Sequence, residues 1–211
     1  GNKPPNNWRN NFFGSAWTRD NATGQYYLHS FLREQPDLNW ENQEVREAIK
    51  NVIRFWLNRG VDGFRLDVAH IYCKDPSFRN NPPFFMRKKG KNGLPCADRV
   101  LMANLMRLLS APEFQVRKYN QHQPETHQVL KEFRTVFDEY SATTSVGEIL
   151  ADEPSVIAAY YGRENDELHM NFYFELLHLK LKAGAFRRAI EKWEHTLPGG
   201  AWPAYTLSNH D

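Results

Sequence analysis

A helical pattern of apolar residues lies in the first third of the chain. Between Asn42 and Gly60 the apolar positions recur at steps of three and four residues. These positions are Val45, Ile49, Val52, Ile53, Trp56 and Leu57. This spacing gathers apolar side chains on one face of a helix, and Asn and Gly are typical of helix starts and ends, respectively. The pattern therefore predicts an amphipathic helix between Asn42 and Gly60.

After this helix the pattern indicates alternating strands and helices. The short, mostly apolar run 61–69 is typical of a buried strand. Helical spacing returns at about 98–110, 125–140, 153–161 and 183–196, and strand-like runs fall at 143–147, 168–174 and 205–208. The alternation predicts an α/β fold with a parallel sheet, either doubly wound or part of a (β/α)8 TIM barrel. No glycine-rich phosphate loop follows a predicted strand, which disfavours a nucleotide-binding sheet.

Two stretches have no periodic pattern. The first forty residues are rich in Asn, Pro, Gly and aromatic residues, which indicates an irregular, loop-rich excursion. Residues 73–97 are polar, basic and interrupted by Pro and Gly. Loops of that length are usually functional or mobile.

Composition and charge narrow the class of protein. The chain has 211 residues, of which 41% are hydrophobic and 25% charged, as in a globular domain. A net charge of +2 is too small for the basic surface of a nucleic-acid binder. A run of about 18 apolar residues and a signal pattern are both absent from the sequence, so we predict no membrane association and a cytoplasmic location. The two cysteines, Cys73 and Cys96, are not in zinc-like spacing, and we predict no metal or other cofactor.

An acidic residue ends each of three predicted strands. Asp67 ends the first strand, Glu148 the second and Asp211 the last. Functional side chains of parallel α/β folds gather at these carboxyl ends, although Asp and Glu there also serve as caps of the following helix. With Arg65 two positions before one acid and His210 directly before another, a functional cluster is the stronger interpretation.

The acids differ in their expected surroundings. Alternation along a strand places Arg65 and Asp67 on the same side, where the guanidinium can hold the carboxylate charged and oriented, or form a structural ion pair only. Glu148 lies among the apolar residues Val146 and Ile149, and burial near a second carboxylate raises a pKa. One charged and one protonated carboxyl group are what retaining glycoside hydrolysis requires.

Four short motifs carry a resemblance to a known family. Residues 63–69 (GFRLDVA), 146–149 (VGEI) and 208–211 (SNHD) resemble signature regions of the α-amylase family of glycoside hydrolases, glycoside hydrolase family 13. Residues 35–39 (QPDLN) resemble the region that marks its oligo-1,6-glucosidase and α-glucosidase branch. The motifs keep the family's order, and the resemblance extends over essentially the whole chain.

The resemblance implies a role for each site residue. Asp67 would be the nucleophile, Glu148 the general acid and base, and Asp211 a stabiliser of the distorted transition state. Arg65 would orient the nucleophile, and His210 would bind the same sugar. His70, in the loop after the nucleophile, is a further candidate on the side of the leaving sugar. The implied substrate is a short malto- or isomalto-oligosaccharide, cleaved at α-1,4 or α-1,6 bonds.

The resemblance also implies a domain organisation. Residues 1–40 would be the end of the inserted domain B, and residues 41–211 part of the catalytic barrel, about strands four to seven. A whole barrel needs roughly 250 residues, so we interpret the chain as an internal fragment that is inactive alone.

Other functions within the family remain open. One alternative is a transglycosylating or isomerising relative that forms trehalose or acts on sucrose. Another is a non-catalytic relative that resembles the heavy chain of certain amino-acid transporters, but such relatives tend to lose the catalytic acids.

Val68 bears on the linkage that is cleaved. In its position directly after the implied nucleophile, it resembles the branch members that prefer α-1,6 bonds.

Overall fold

The computed structural model describes residues 3–12, 14–82 and 115–210. The chain divides into two compact units. Gly1–Glu41 and Tyr72–Gln123 form the first unit, and Asn42–Ile71 and Pro124–Asp211 form the second. The predicted helix at 98–110, Cys96 and Asp211 lie outside the described residues.

Six strands and four α-helices follow one another along the described chain. In order they are β1 (Trp17–Arg19), β2 (Tyr26–Leu28), α1 (Gln43–Leu57), β3 (Gly63–Leu66), α2 (Pro124–Phe137), β4 (Thr144–Gly147), α3 (Pro154–Ala158), β5 (Met170–Tyr173), α4 (Ala183–Thr196) and β6 (Ala204–Tyr205). Single 3₁₀ turns follow β3, α3 and β5 at Ala69–Ile71, Ala159–Tyr161 and Phe174–His178.

Helix α1 forms for the reasons visible in the sequence. The Asn42 side chain accepts a hydrogen bond from the Glu44 backbone N–H at 2.9 Å, which caps the first turn. Ile53 and Leu57 are buried on its inner face. At the other end, Gly60 has a φ of +87°, a left-handed conformation that stops the helix. The predicted helix between Asn42 and Gly60 is confirmed.

The four strands of the second unit form one parallel sheet in the order β3-β4-β5-β6. Strand order follows chain order without a reversal, whereas a doubly wound sheet has a switch point where the order reverses. The arrangement is therefore that of consecutive strands of a barrel. At its start β3 approaches β4 so closely that a Cβ on Gly63 would lie 2.2 Å from the Thr144 carbonyl oxygen.

Helices α2 and α4 cover the sheet with large apolar side chains. The buried apolar positions of α2 are Val129, Leu130, Phe133, Val136 and Phe137. On α4, Trp193 is fully buried and stacks on Tyr173 of β5, with ring centroids 4.6 Å apart. The helix predicted at 183–196 and the one predicted at 125–140 are both present, the latter as Pro124–Phe137.

The first unit is held by asparagine side chains and a small aromatic cluster. β1 and β2 pair antiparallel, and Trp8 and Trp17 stack at 6.0 Å between ring centroids. Asn6 accepts a hydrogen bond from the Trp17 indole N–H at 2.7 Å. Asn7 and Asn81 exchange hydrogen bonds between side chain and backbone at 3.0 and 2.8 Å. The irregular excursion predicted for the first forty residues therefore contains one short hairpin.

Some predicted boundaries differ from the structure. The strand expected at 61–69 is shorter, since β3 ends at Leu66 and the chain turns at Asp67 and Val68 into a 3₁₀ helix. The strand expected at 205–208 is present as the two residues of β6. The assignment of residues 1–40 to domain B and 41–211 to the barrel stays a prediction.

Candidate active site

Arg65 connects two carboxylates at the carboxyl ends of adjacent strands. Its Nη1 donates to Oδ1 of Asp67 at 2.6 Å, and its Nη2 donates to Oε2 of Glu148 at 2.5 Å. Leu66 and Gly147 are partners in the parallel ladder, so Asp67 and Glu148 are each the first residue beyond paired positions. The strand register alone therefore brings the two acids to the same edge of the sheet, where one guanidinium reaches both.

The two acids lie in different surroundings. The Asp67 side chain is 68% exposed, whereas that of Glu148 is 13% exposed. Burial raises the pKa of Glu148, and a hydrogen bond with the Asp67 carboxyl group acts in the same direction, while the charge of Arg65 lowers that pKa. A buried carboxyl group with a raised pKa thus lies beside an exposed acid.

A tight turn after β3 also contacts Glu148. The Val68 N–H donates to Oε2 of Glu148 at 3.4 Å, and the Ala69 N–H donates to the Glu148 backbone carbonyl at 3.1 Å. The Glu148 N–H in turn donates to the Leu66 carbonyl at 3.0 Å. Glu148 is therefore fixed through its main chain as well as its side chain.

The strand-end acids do not act as helix caps. In the described structure the Asp67 carboxyl group accepts a hydrogen bond from Arg65, and the Glu148 carboxyl group accepts from Arg65 and the Val68 N–H. The helix that follows Glu148 is α3, and Glu153 occupies its cap position. These contacts leave the capping interpretation of Asp67 and Glu148 without support.

The remaining predicted site residues have different positions. His70 is 2% exposed in the 3₁₀ turn after β3, and its Nδ1 lies 3.4 Å from the Glu148 backbone oxygen. It is therefore a buried neighbour of Glu148 rather than an exposed loop side chain. His210 is exposed beyond β6. Asp211, the third predicted acid, lies outside the described residues.

Among residues 3–12, 14–82 and 115–210, no three His, Cys, Asp or Glu side chains are placed to hold a metal ion. No described helix combines the length and the apolar character needed to cross a membrane.

Comparison with known families decides the identity of this fold. The profile described as "Alpha amylase, catalytic domain" matches residues 1–211. The chain belongs to the α-amylase family. Its four-stranded parallel sheet is accordingly part of a (β/α)8 barrel, and Arg65, Asp67 and Glu148 lie at the barrel face where the active sites of such enzymes are built.

Similar proteins carry glucosidase and glucosyl-transfer names. The chain is 38% identical over 210 residues to a probable α-glucosidase of Rhizobium meliloti (strain 1021), covering 99% of this chain and 36% of that protein. It is 33% identical over 223 residues to an oligo-1,6-glucosidase of Heyndrickxia coagulans, covering 99% and 36%, respectively. The crystal structure of the α-glucosyl transfer enzyme XgtA superposes with a TM-score of 0.80 at 37% identity, over 99% of this chain and 36% of that one. The chain thus spans about a third of the length of these relatives.

One feature of the site could not be found by reading the sequence. Val68 has a φ of +37°, in the left-handed region that a β-branched residue rarely adopts. Backbone conformations of this kind cost about 1–3 kcal/mol and persist where surrounding contacts enforce them. Glycine or asparagine would have signalled such a turn, but valine predicts an extended backbone instead.

Proposed function

We propose that the full-length protein containing this chain is a retaining α-glucosidase that cleaves short malto- or isomalto-oligosaccharides. The observation that carries the proposal is the single guanidinium of Arg65 shared by exposed Asp67 and buried Glu148. Both carboxyl groups accept hydrogen bonds from the same planar guanidinium, which holds them close together. Inverting enzymes instead separate their carboxyl groups by roughly 6.5–9.5 Å to admit a water molecule.

The arrangement assigns one step to each acid. The Asp67 carboxylate attacks the anomeric carbon while the proton of Glu148 moves to the departing glycosidic oxygen, so a β-glucosyl-enzyme forms and an alcohol leaves. The Glu148 carboxylate then takes a proton from water, which attacks the same carbon and releases Asp67. Two inversions give an α-anomeric product. Asp211 and His210 would bind the reacting sugar. His70 would help to position Glu148 through its contact with the Glu148 backbone oxygen.

The test needs an enzyme of the relatives' length. The 211-residue segment can be placed in its full-length protein, or exchanged for the matched segment of the Rhizobium meliloti relative. We call either product the full-length enzyme. The isolated chain is expected to be inactive, because it spans about a third of its relatives.

Azide rescue separates the two catalytic roles. In the full-length enzyme, Asp67→Ala should lose turnover and yield β-glucosyl azide from α-glucosyl fluoride, because azide replaces the nucleophile on the opposite face. Glu148→Ala should keep activity toward a substrate with an activated leaving group and yield α-glucosyl azide, because azide replaces water. Glu153→Ala, an exposed acid nearby in the sequence, is the matched control. Full activity of Asp67→Ala would refute the assignment.

A transglucosylating activity is the second candidate. It is favoured by the similarity to XgtA, an α-glucosyl transfer enzyme. The same covalent intermediate serves both reactions, which differ in whether water or a sugar hydroxyl takes the glucosyl group. Measuring glucose and longer oligosaccharides at increasing substrate concentration separates them, since transfer products that exceed free glucose would replace hydrolysis as the main activity.

Linkage preference is a finer part of the proposal. Val68 follows the nucleophile directly, where a branched apolar side chain limits the space for the leaving sugar. A change of one methyl group in such a pocket is worth about 1–3 kcal/mol. Val68→Ala, which removes two methyl groups, should therefore shift the ratio of kcat/KM for isomaltose and maltose toward maltose, and an unchanged ratio would remove this part of the proposal. The cytoplasmic location stays a prediction from the sequence.

A further inference from the structure

The left-handed backbone at Val68 has a chemical consequence for Glu148. Val68 lies between the exposed acid Asp67 and the 3₁₀ turn Ala69–Ile71. With φ at +37°, its N–H points to the side-chain oxygen Oε2 of Glu148 at 3.4 Å. An extended valine would continue strand β3 and aim its N–H along the sheet ladder instead.

Two donors converge on one oxygen of Glu148. Oε2 accepts from Arg65 Nη2 at 2.5 Å and from the Val68 N–H. In a neutral carboxyl group the oxygen that accepts hydrogen bonds is the carbonyl oxygen, and the proton stays on the other oxygen. Among the described residues, the ionisable or charged groups near Glu148 include Arg65, Asp67 and His70, and His70 Nδ1 lies 3.4 Å from the Glu148 backbone oxygen.

We propose that Val68 is a positioning residue, whose left-handed backbone directs its N–H to Oε2 of Glu148 so that the transferable proton is held on Oε1. The inference rests on the proposed function, since it concerns the proton that Glu148 donates to the leaving sugar. The proposed role accounts for the strained backbone directly after Asp67, because the turn at Val68 orients Glu148.

The role predicts a change in pH dependence. The Val68 N–H stabilises the charged form of Glu148 and so lowers its pKa, against the larger raising effect of burial. Removing this donor should raise the pKa of Glu148 further. Activity that requires the protonated acid should then extend to higher pH, while the rate falls because Oε1 is less well oriented.

The experiment replaces one backbone N–H by oxygen. In the full-length enzyme, 2-hydroxyisovalerate in place of Val68 keeps the side chain and removes only the donor. Lactate in place of Ala69 is the matched control, because it removes the N–H that binds the Glu148 backbone carbonyl. The Val68 ester should move the basic limb of the kcat/KM profile to higher pH. It should also lower kcat on isomaltose about threefold to tenfold, with less effect on 4-nitrophenyl α-glucoside, whose leaving group needs little protonation.

Each outcome decides the inference. An unmoved basic limb, or an equal movement with the Ala69 ester, would overturn it. If the ester does not fold, Val68→Gly, which retains the N–H and adopts a left-handed backbone without strain, should keep the basic limb in place. Movement of the basic limb in Val68→Gly, where the donor is retained, would equally overturn the inference. An unsubstituted full-length enzyme without activity on α-glucosides would instead refute the proposed function, before any Val68 variant is measured.

Discussion

Substitution of Gly147 by alanine tests how the fold holds the buried acid. Gly147 is the last residue of β4 and directly precedes Glu148. A Cβ at this position would lie 2.4 Å from Cδ1 of Leu168 and 2.6 Å from Oδ1 of Asn171, whereas ordinary contacts begin at 3.4 Å. Leu168 is 2% exposed and Asn171 is fully buried, so neither side chain can turn into solvent.

The expected cost follows from these overlaps. Extra methyl groups in a packed core typically cost 1–3 kcal/mol in the free energy of unfolding. We expect about 2–3 kcal/mol for Gly147→Ala, because Asn171 is held by two hydrogen bonds. Its side-chain amide donates to the Ile157 carbonyl at 3.4 Å, and its backbone N–H donates to the Tyr161 hydroxyl oxygen at 3.1 Å. Alternatively, the end of β4 moves to relieve the overlap, and Glu148 moves with it. A displacement of about 1 Å of a catalytic group can lower a rate about a hundredfold.

Both effects are measurable in the full-length enzyme. Urea unfolding gives the loss of stability, and kcat/KM on an α-glucoside gives the loss of positioning. Gly199→Ala is the matched control, since a Cβ there meets no atom within 4 Å. If Gly147→Ala had the unfolding midpoint and kcat/KM of the unsubstituted enzyme, the close packing behind Glu148 would not be what positions it.

Two further predictions concern ion pairs. In Arg65→Lys, the single ammonium group cannot bind both carboxyl groups as the planar guanidinium does, so kcat/KM should fall about 10- to 100-fold. Arg54→Lys is the control, since Arg54 forms a surface pair on α1, and it should change kcat/KM less than about threefold in the same assay. Asp75→Asn should cost about 1–2 kcal/mol at neutral pH by urea unfolding, because Arg79 lowers the pKa of buried Asp75 to about 2. A lowered pKa stabilises the fold above the ordinary value of 3.8, so the difference between the two proteins should shrink as the pH falls from 3.8 toward 2; a difference that grew there would contradict the sign.

The helices were predictable because their signals are local. The repeat of apolar residues between Asn42 and Gly60 contains its own cap and stop, and α1 has the predicted limits. Residues 183–196 likewise contain the whole pattern of α4. The placing of two acids at strand ends also follows from local patterns, since parallel strands bring their carboxyl ends to one edge.

The rest depends on contacts between distant parts of the chain. The sequence around Val68 predicts a strand that continues to residue 69, but Glu148, 80 positions further on, accepts the Val68 N–H and stabilises a turn instead. His70 is predicted in the loop after Asp67, yet it is buried against the same strand end. Neither outcome has a signal in the neighbouring residues, because the partner that enforces it lies in another strand.

The turn at Val68 also accounts for the different exposure of Asp67 and Glu148. Asp67 and Glu148 follow paired residues of adjacent strands, so the ladder by itself would expose both equally. After Asp67, however, the chain bends at Val68 and passes over Glu148, where the N–H groups of Val68 and Ala69 contact it. The bend leaves Asp67 at 68% exposure and Glu148 at 13%. One backbone turn thus accounts for an exposed Asp67 side chain beside a buried Glu148 side chain, and the strain at Val68 is the cost of that asymmetry.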